Sequence, residues 1–307
     1  MCGRMHHIMN NKEHFKSGFV AVVGRPNVGK STLINALIGD KIAIVSDKAQ
    51  TTRNRIICVY TDERKQIVFM DTPGVHKPKH KLGEFMVDAA IESLKETEAV
   101  LFVVAGNEKR GPGDNFIIEQ LKRVKVPVFL VVNKIDTLKK EDLLEAIVSY
   151  QNAYPFAGVI PISAKDKENL PEILKVLEET LPEGPQYFPE DMITDQPERL
   201  IISDIVREKI LLATRDEIPH AIAVDVDEMK TRDDGTTYIR ATIYCERDSQ
   251  KGIIIGKKGA LLKQLGAEAR ADIQKLLATK VYLDLWVKVK KDWRNKSGML
   301  SELGYKK

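Results

Sequence analysis

The sequence contains few cysteines, and this scarcity argues against two kinds of stabilised fold. Only Cys2, Cys58 and Cys245 occur among the 307 residues. Because their number is odd and they lie far apart in the chain, neither a disulfide framework nor a thiolate metal site is indicated. We therefore expect reduced thiols.

Long apolar runs are also missing. No stretch approaches the roughly 18 apolar residues that a membrane-spanning helix needs. The N-terminal segment, MCGRMHHIMNNKEHFKSG, has no apolar core resembling a signal peptide, and we interpret residues 1–17 as a flexible leader. With 43% hydrophobic and 30% charged residues, the composition predicts a soluble globular protein. Because no signal peptide is indicated, we expect it in the cytoplasm.

The net charge is small but unevenly distributed. It amounts to +4 for the whole chain, whereas residues 249–307 contain fourteen Lys and Arg against five Asp and Glu. This local excess needs an explanation, and a negatively charged partner is one candidate.

The length and a change of pattern along the chain predict two domains. Between residues 19 and 180, short β-branched runs alternate with amphipathic stretches, which is typical of a mainly parallel α/β sheet with helices on both faces. Predicted strands cover residues 19–23, 55–60, 66–71, 99–105, 127–133 and 158–163, and predicted helices cover 30–39, 84–96, 114–123, 140–151 and 169–180. Because only residues 61–65 separate the second and third strands, these two should form an antiparallel hairpin, giving a mixed six-stranded sheet.

A proline-bearing stretch divides the chain. Residues 182–199 hold four prolines and have neither helical nor strand periodicity, so they are interpreted as a linker between domain 18–181 and a smaller α+β domain, 200–307. The predicted order in the second domain is α, β, β, α, α, β, followed by a basic C-terminal tail. These elements cover residues 200–214, 221–230, 236–246, 249–255, 260–278 and 281–289.

A glycine-rich loop follows the first predicted strand and opens a helix. Residues 24–31 read GRPNVGKS and match the GxxxxGK[ST] pattern of a phosphate-binding loop. The backbone N–H groups of this loop would point at the β-phosphate, and the positive end of the helix dipole would add to their attraction. Lys30 would bridge the β- and γ-phosphates and Ser31 would ligate Mg²⁺. The nucleotide-binding candidates in this loop are Gly24, Asn27, Val28, Gly29, Lys30, Ser31 and Thr32.

A second motif, DTPG, ends the predicted strand that begins at Gln66. The Asp71 carboxylate could hold Mg²⁺ through water, and the Gly74 N–H could meet the γ-phosphate. The plainer alternative is a strand-ending Asp before a Pro-Gly turn.

Two further motifs point to guanine. Asn133, Lys134 and Asp136 occur in VVNKID, at the strand ends where ligands of open α/β sheets bind. Asp136 could accept from N1–H and N2–H₂ of guanine, whereas adenine lacks both donors, so GTP is favoured over ATP. Ser163, Ala164 and Lys165 follow the last strand. The Ala164 N–H could meet the guanine O6, and Lys165 would help to shape the pocket.

Catalysis at such a site depends on positioning and charge stabilisation, and the catalytic candidates are Lys30, Thr52, Gly74 and Asn27. The segment KAQTTR offers Thr51 and Thr52 as a Mg²⁺ ligand, and we choose Thr52. Val75 stands where Ras-like switches place a glutamine after the DxxG glycine, which predicts slow basal turnover. The order of these motifs resembles that of the P-loop GTPases of the translation-factor-related superclass. The resemblance implies that Asn27, which occurs in relatives that recruit K⁺ beside the phosphates, does the same here, so we hypothesise that K⁺ partly replaces an arginine finger.

The second domain contains the string IIIGKKGALLKQLG between helical stretches. Its Gly256, Lys257, Lys258 and Gly259 resemble the GxxG loop with which a KH domain holds single-stranded RNA, and the surrounding order resembles the bacterial type II KH domain. A helix turn with solvated lysines is the alternative. We expect Ile253–Ile255, Ile243 and Val281 to be core. A basic group near the C-terminus comprises Lys288, Lys290, Lys291, Arg294 and Lys296. These residues could follow phosphates, contact acidic lipid or simply be solvated, and beside a KH domain RNA is the favoured partner, so the first four join the GKKG loop as predicted RNA-binding residues.

Over residues 18–307, the motifs GRPNVGKS, QTTR, DTPG, NKID and SAK, followed by IIIGKKG, resemble the Era family of bacterial GTPases of small-subunit ribosome assembly. The resemblance implies that the C-terminal domain binds 16S ribosomal RNA near its 3′ end, that the protein acts on the 30S subunit, and that the GTP state controls RNA capture or release. It also implies peripheral association with the inner membrane. We expect a monomer that exchanges GTP and GDP.

Two other functions remain as alternatives. One is a membrane-surface signalling GTPase whose basic tail contacts anionic lipid. The other is an ATP-dependent small-molecule kinase, which also uses a phosphate-binding loop.

Overall fold

The computed structural model describes residues 14–46, 48, 50–75, 78 and 80–305, which form two β-sheets with their helices. Residues 1–13, most of the predicted leader, lie outside this range. The first strand begins at Lys16, inside the predicted leader, where the chain pairs with Lys65.

The larger sheet has six strands in the order β2-β3-β1-β4-β5-β6. The strands are β1 (Lys16–Val23), β2 (Ile56–Thr61), β3 (Lys65–Asp71), β4 (Ala99–Ala105), β5 (Val128–Asn133) and β6 (Gly158–Pro161). Only the β2–β3 pair is antiparallel, which confirms the predicted hairpin and mixed sheet.

Five helices cover the two faces of this sheet: α1 (Lys30–Ile38), α2 (Lys81–Ser93), α3 (Pro112–Leu121), α4 (Lys140–Gln151) and α5 (Leu170–Thr180). Successive residues of β4 alternate between two cores, with Leu101 in the core under α1 and α5 and Phe102 in the core under α2, α3 and α4. Central parallel strands are continuously apolar for this reason.

In the first domain, two helices start earlier than predicted. In α2, Leu82 is buried against Trp293 of the second domain, a long-range contact that sequence periodicity does not reveal. In α3, Pro112 occupies the first turn and the Gly111 N–H donates to Asp114 at 2.8 Å, so the helix begins at a capped proline.

The predicted linker lies along the first domain. Thr194 forms a bridge with Cys58 of β2, and the Gln66 side chain bonds the backbone of Tyr187 and Phe188. The linker is therefore docked on the first domain, and we call it the strap. The first helix of the second domain, α6, begins inside the range predicted for the linker, at Glu198.

The second domain has a three-stranded sheet, β7 (Ala223–Thr231), β8 (Thr237–Cys245) and β9 (Val281–Val289), in which β8 pairs antiparallel with β7 and parallel with β9. Its helices are α6 (Glu198–Ala213), α7 (Ile218–Ala221), α8 (Asp248–Ile255), α9 (Ala260–Leu277) and α10 (Ser297–Glu302). The predicted order is confirmed, and the short helices α7 and α10 are additions to it. Within the described residues, no helix has the length and hydropathy to span a bilayer.

Candidate nucleotide site and nucleic-acid interface

The loop between β1 and α1 needs its glycines for space. A Cβ on Gly24 would lie 2.3 Å from the Val103 carbonyl oxygen. One on Gly29, which has φ of +98°, would lie 2.2 Å from Asn133 Nδ2. A side chain at either position would displace the loop, so these glycines allow the backbone to curl against its neighbours.

Lys30 begins α1 and is buried. Its Nζ donates to the carbonyl oxygens of Gly24 (3.2 Å) and Arg25 (3.0 Å). Burial lowers the pKa of Lys30 to about 8, and the nearby Asp71 carboxylate opposes this shift. The loop thus surrounds a cation that is poorly compensated until an anion enters.

Three oxygen-bearing side chains meet beside Lys30. Ser31 Oγ lies 2.7 Å from Asp71 Oδ2 and 2.9 Å from Thr52 Oγ1, and Thr52 Oγ1 lies 3.3 Å from the same carboxylate oxygen. Asp71 Oδ1 is buried and has no hydrogen-bond partner among the described residues. Burial raises the pKa of Asp71, with Lys30 acting in the opposite direction. Clustered hard oxygens with one unsatisfied carboxylate atom fit a Mg²⁺ ion and its waters.

The two candidate threonines differ in orientation. The Thr51 hydroxyl donates to the Lys48 carbonyl at 2.6 Å, away from the oxygen cluster. Thr52 is buried and its hydroxyl belongs to the cluster. The geometry therefore favours Thr52 as a metal ligand.

Gly74 packs directly on the phosphate loop, since a Cβ there would lie 2.7 Å from the backbone of Pro26. The next residue, Val75, donates its N–H to the Gly24 carbonyl at 3.2 Å and buries its side chain in the core. This position supplies no polar side chain to an attacking water.

Asn133 connects the phosphate loop with the loop that follows β6. Its Nδ2 donates to the Val28 carbonyl at 2.8 Å, and its Oδ1 accepts from the Ala164 N–H at 3.0 Å. That N–H was predicted to meet guanine O6, and in this structure it bonds Asn133 instead. Asp136 is exposed and accepts from Ser163 Oγ at 2.8 Å, so Ser163 orients the predicted base-reading carboxylate.

A cavity of about 590 Å³ connects these motifs. The predicted residues that line it are Asn27, Gly29, Lys30, Ser31, Thr32, Thr52, Gly74, Asn133, Lys134, Asp136, Ala164 and Lys165. Gly24, Val28, Asp71 and Ser163 are not lining residues and act through the contacts described above. Sequence reasoning missed Glu108, whose carboxylate lies 3.8 Å from Lys134 Nζ, because this glutamate belongs to no recognisable motif.

The GKKG loop joins α8 to α9. Gly256, Lys258 and Gly259 all have positive φ, and both lysine side chains are exposed. The chain therefore turns sharply here and presents two cations beside the start of a helix. Ile254 is core as predicted, but Ile253 is 53% exposed, so the prediction for that residue was wrong. An apolar helix turn buries only the side chains on one face. Ile243 and Val281 are core.

The basic residues near the C-terminus do not form one surface with this loop. Lys288 alternates with the inward-facing Val287 and Val289, so it lies on the face of the sheet opposite α8 and α9. Arg294 bonds Glu246 at 3.1 and 2.5 Å and is largely buried, which neutralises its charge. Lys290 and Lys291 are exposed. The predicted RNA-binding set is thus divided between two faces.

Possible metal sites of other kinds are absent from the part of the chain that the structure describes. No group of three or more His, Cys, Asp or Glu side chains there could hold a metal ion. Cys58 and Cys245 are free and buried.

The fold and the site define the class of the protein, a P-loop GTPase joined to a KH domain. Two family models agree with it, one described as "50S ribosome-binding GTPase" over residues 19–134 and one described as "KH domain" over residues 217–294.

Solved structures similar to the chain narrow this class. One is Era in complex with MgGDPNP and nucleotides 1506–1542 of 16S ribosomal RNA, with 43% identity, a TM-score of 0.92, and coverage of 95% of this chain and 99% of that one. Another is a single-substitution variant of Aquifex aeolicus Era bound to GDP·AlF₄⁻, with the same identity and coverages and a TM-score of 0.91. The chain belongs to the Era family.

Proposed function

We propose that the protein is a GTP-hydrolysing switch that binds the 3′ end of 16S ribosomal RNA during assembly of the 30S subunit. The proposed GTP hydrolysis rests mainly on one observation, the cluster of Ser31, Thr52 and Asp71 oxygens beside the buried Lys30. In this proposal Ser31 and Thr52 ligate Mg²⁺ and Asp71 holds it through water. The ion, when bound, neutralises charge on the β- and γ-phosphates.

The remaining residues position the substrate. Lys30 bridges the β- and γ-phosphates, and the Gly74 N–H donates to the γ-phosphate. The buried Val75 leaves the attacking water without a side chain to orient it, so basal turnover is slow. Asn27, which lines the cavity with φ of +65°, would help to hold K⁺, whose charge would partly replace that of an arginine finger. Equal hydrolysis rates in Na⁺ and K⁺ buffers would contradict the K⁺ assignment.

Guanine is selected by Asp136, which Ser163 holds at the cavity edge. Asp136→Asn should weaken GTP and strengthen xanthosine triphosphate by about 10²-fold or more, because the amide can donate to the O2 of xanthine but cannot accept both guanine donors. Binding of both nucleotides tests this. A kinase that used ATP would show no such exchange of preference.

The KH domain is the proposed RNA-binding part. Support comes from the exposed Lys257 and Lys258 on a tight turn and from the relative whose structure holds nucleotides 1506–1542 of 16S ribosomal RNA. Lys288, Lys290 and Lys291 are proposed to add phosphate contacts from the other face of the sheet, whereas Arg294, paired with Glu246, is proposed to hold the C-terminal tail in place. A labelled RNA of those nucleotides should bind the wild type and lose most of its affinity for Gly259→Asp, with GTP hydrolysis retained.

The protein is proposed to be a cytoplasmic monomer with peripheral association at the inner membrane. A membrane-surface signalling GTPase is the rival function, and anionic vesicles compared with the RNA distinguish the two. If RNA and GTP are coupled, each must change the affinity of the other by the same factor. Identical RNA affinities with GDP and with a non-hydrolysable GTP analogue would remove the coupling.

A further inference from the structure

The segment that carries Thr52, between α1 and β2, is held by the KH domain on both sides of this threonine. Before it, the backbone carbonyls of Gln50 and Thr51 accept hydrogen bonds from Arg207 of α6. After it, the Arg53 side chain enters the KH domain. Thr52 itself is buried and faces the oxygen cluster of the nucleotide site.

Arg207 makes its bonds from a fixed position. Its Nη2 donates to the Thr51 carbonyl at 2.5 Å and its Nη1 to the Gln50 carbonyl at 3.4 Å. Asp204, one helical turn earlier, accepts from Nε at 3.1 Å and from Nη2 at 2.8 Å. The Arg207 side chain is only 3% exposed, so water does not compete for these bonds.

Arg53 is similarly enclosed. Its Nη1 donates to the Ile222 carbonyl at 2.7 Å, and its guanidinium lies 5.7 Å from the centre of the Trp293 ring. The Trp293 Nε1 donates in turn to the Ala221 carbonyl at 2.9 Å. The indole is thereby held at a fixed place over the arginine, at a distance where a cation and an aromatic face attract.

The same segment is also held further toward α1. Glu208, next to Arg207, is almost fully buried and accepts from the Val45 N–H at 2.9 Å and from Lys41 Nζ at 2.5 Å. Residues 41, 45, 50, 51 and 53 thus all form hydrogen bonds with the second domain.

We infer that Arg207 and Arg53 are positioning residues for GTP hydrolysis, through which the KH domain holds Thr52 at the metal-binding cluster. This inference rests on the proposed assignment of Thr52 to Mg²⁺. Ordering a free loop costs conformational entropy for every residue that is fixed. A segment that is already anchored avoids much of this cost when the γ-phosphate and the ion arrive. Separation of the domains should therefore weaken the Mg²⁺·GTP state more than binding of GDP.

A double-mutant cycle tests the inference on the full-length protein. Arg207→Gln should lower single-turnover GTP hydrolysis at limiting Mg²⁺ by about tenfold, the effect of one charge-assisted hydrogen bond. Affinity for GDP without Mg²⁺ should stay within about twofold, because the phosphate loop and NKID motif do not contact Arg207. Arg207→Lys should recover part of the rate, since one ammonium donor can still reach a carbonyl.

The combination with Thr52→Ala gives the decisive result. If Arg207 acts through Thr52, adding Arg207→Gln to Thr52→Ala costs no further activity. Arg240→Gln, which removes an ion-paired arginine from the KH sheet, is the matched control and should leave hydrolysis unchanged. Full additivity of the two losses, or an equal loss of metal-free GDP binding, would overturn the inference. If Thr52→Ala alone changes neither the Mg²⁺ dependence nor the rate, the proposed function of Thr52 fails first, and the positioning inference fails with it.

Discussion

Asn133 holds the phosphate loop in place through a buried hydrogen bond: its Nδ2 donates to the carbonyl of Val28, a fully buried residue of that loop, at 2.8 Å. Its Oδ1 accepts from the Ala164 N–H at 3.0 Å. One carboxamide at the end of β5 therefore connects the loops that follow β1 and β6, two of the segments that surround the cavity. A side chain predicted to touch the nucleotide also holds together the loops that bind it.

Asn133→Ala should weaken GTP and GDP to a similar extent, by about 10–100-fold. The substitution leaves the Val28 carbonyl and the Ala164 N–H buried without partners, at about 1–3 kcal/mol for each such group. Nucleotide titrations measure the change. Asn152→Ala, at an exposed position after α4, is the control and should be neutral. A loss confined to GTP would mean that Asn133 acts on the γ-phosphate site and not as a brace.

The two glycines of the GKKG loop should differ in their tolerance of a side chain. Gly256 has φ 75° and ψ 175°, a region essentially restricted to glycine, and a Cβ there would lie 2.8 Å from Leu261 Cβ. Gly259 has φ 78° and ψ 11°, a left-handed conformation, and a Cβ there would meet no atom within 4 Å. We expect Gly256→Ala to lower the free energy of unfolding by about 3 kcal/mol and Gly259→Ala by about 1 kcal/mol.

Urea unfolding of the two variants measures this difference. Gly252→Ala is the matched control, since this glycine lies inside α8 with open space around it, and alanine there should stabilise the helix by up to about 1 kcal/mol. Equal costs at Gly256 and Gly259 would show that the backbone geometry does not decide the tolerance.

The sequence predicted the features that depend on neighbouring residues. Strand periodicity, the hairpin and the GxxxxGK[ST] loop are local, and the structure has them where expected. Contacts between distant residues were not predictable. Arg53 and Ile222 are 169 positions apart, and no pattern around either residue indicates their hydrogen bond. The start of α3 was missed although its signal, a proline in the first turn with an acidic cap two residues later, is visible in the sequence.

The candidate site, too, was predictable where it depends on local motifs and not where it depends on contacts between distant residues. Motifs predicted which residues meet at the strand ends, because parallel strands bring their carboxyl ends to one edge. They did not predict that Arg294 would be neutralised by Glu246 or that Lys288 would face away from the GKKG loop. Both results depend on pairing between strands and on the packing of the tail, which one-dimensional charge patterns do not contain.

Nucleotide binding should become weaker as pH rises above about 8. Burial lowers the pKa of Lys30 to about 8 in the free protein, and bound phosphates must raise it again. Above this pKa, binding therefore requires the uptake of a proton. The same pKa shift makes the free energy of unfolding depend on pH. Between pH 8 and the ordinary lysine pKa, Lys30 holds a proton in the unfolded chain that it lacks in the folded protein, so its contribution to stability increases as pH rises across that range.

Calorimetry of Mg²⁺-free GDP binding measures the proton directly. At about pH 8.5, titrations in two buffers of different ionisation enthalpy should reveal uptake of a large fraction of one proton per GDP. The uptake should be close to zero near pH 6.5 and should be absent in Lys30→Gln at both values. Uptake that persists in Lys30→Gln would assign the proton to another group.

Gln66 should control how firmly the strap between the domains is docked. Its Oε1 accepts from the N–H groups of Tyr187 (2.7 Å) and Phe188 (2.9 Å), its Nε2 donates to the Phe188 carbonyl at 2.9 Å, and the side chain is fully buried. Gln66→Ala removes these bonds at about 1 kcal/mol each, so we expect a loss of about 2–3 kcal/mol in the local opening of residues 184–190.

Limited proteolysis measures this opening. Cleavage in the strap should accelerate by about 30–100-fold in Gln66→Ala if opening is fast relative to cleavage, because the rate then follows the open population. The exposed Gln151→Ala is the control and should be cut like the wild type. Because Cys58 and Thr194 still pair further along the strap, the variant should keep the two domains in contact. Unchanged cleavage would mean that the bridge between Cys58 and Thr194, and not Gln66, holds the strap in place.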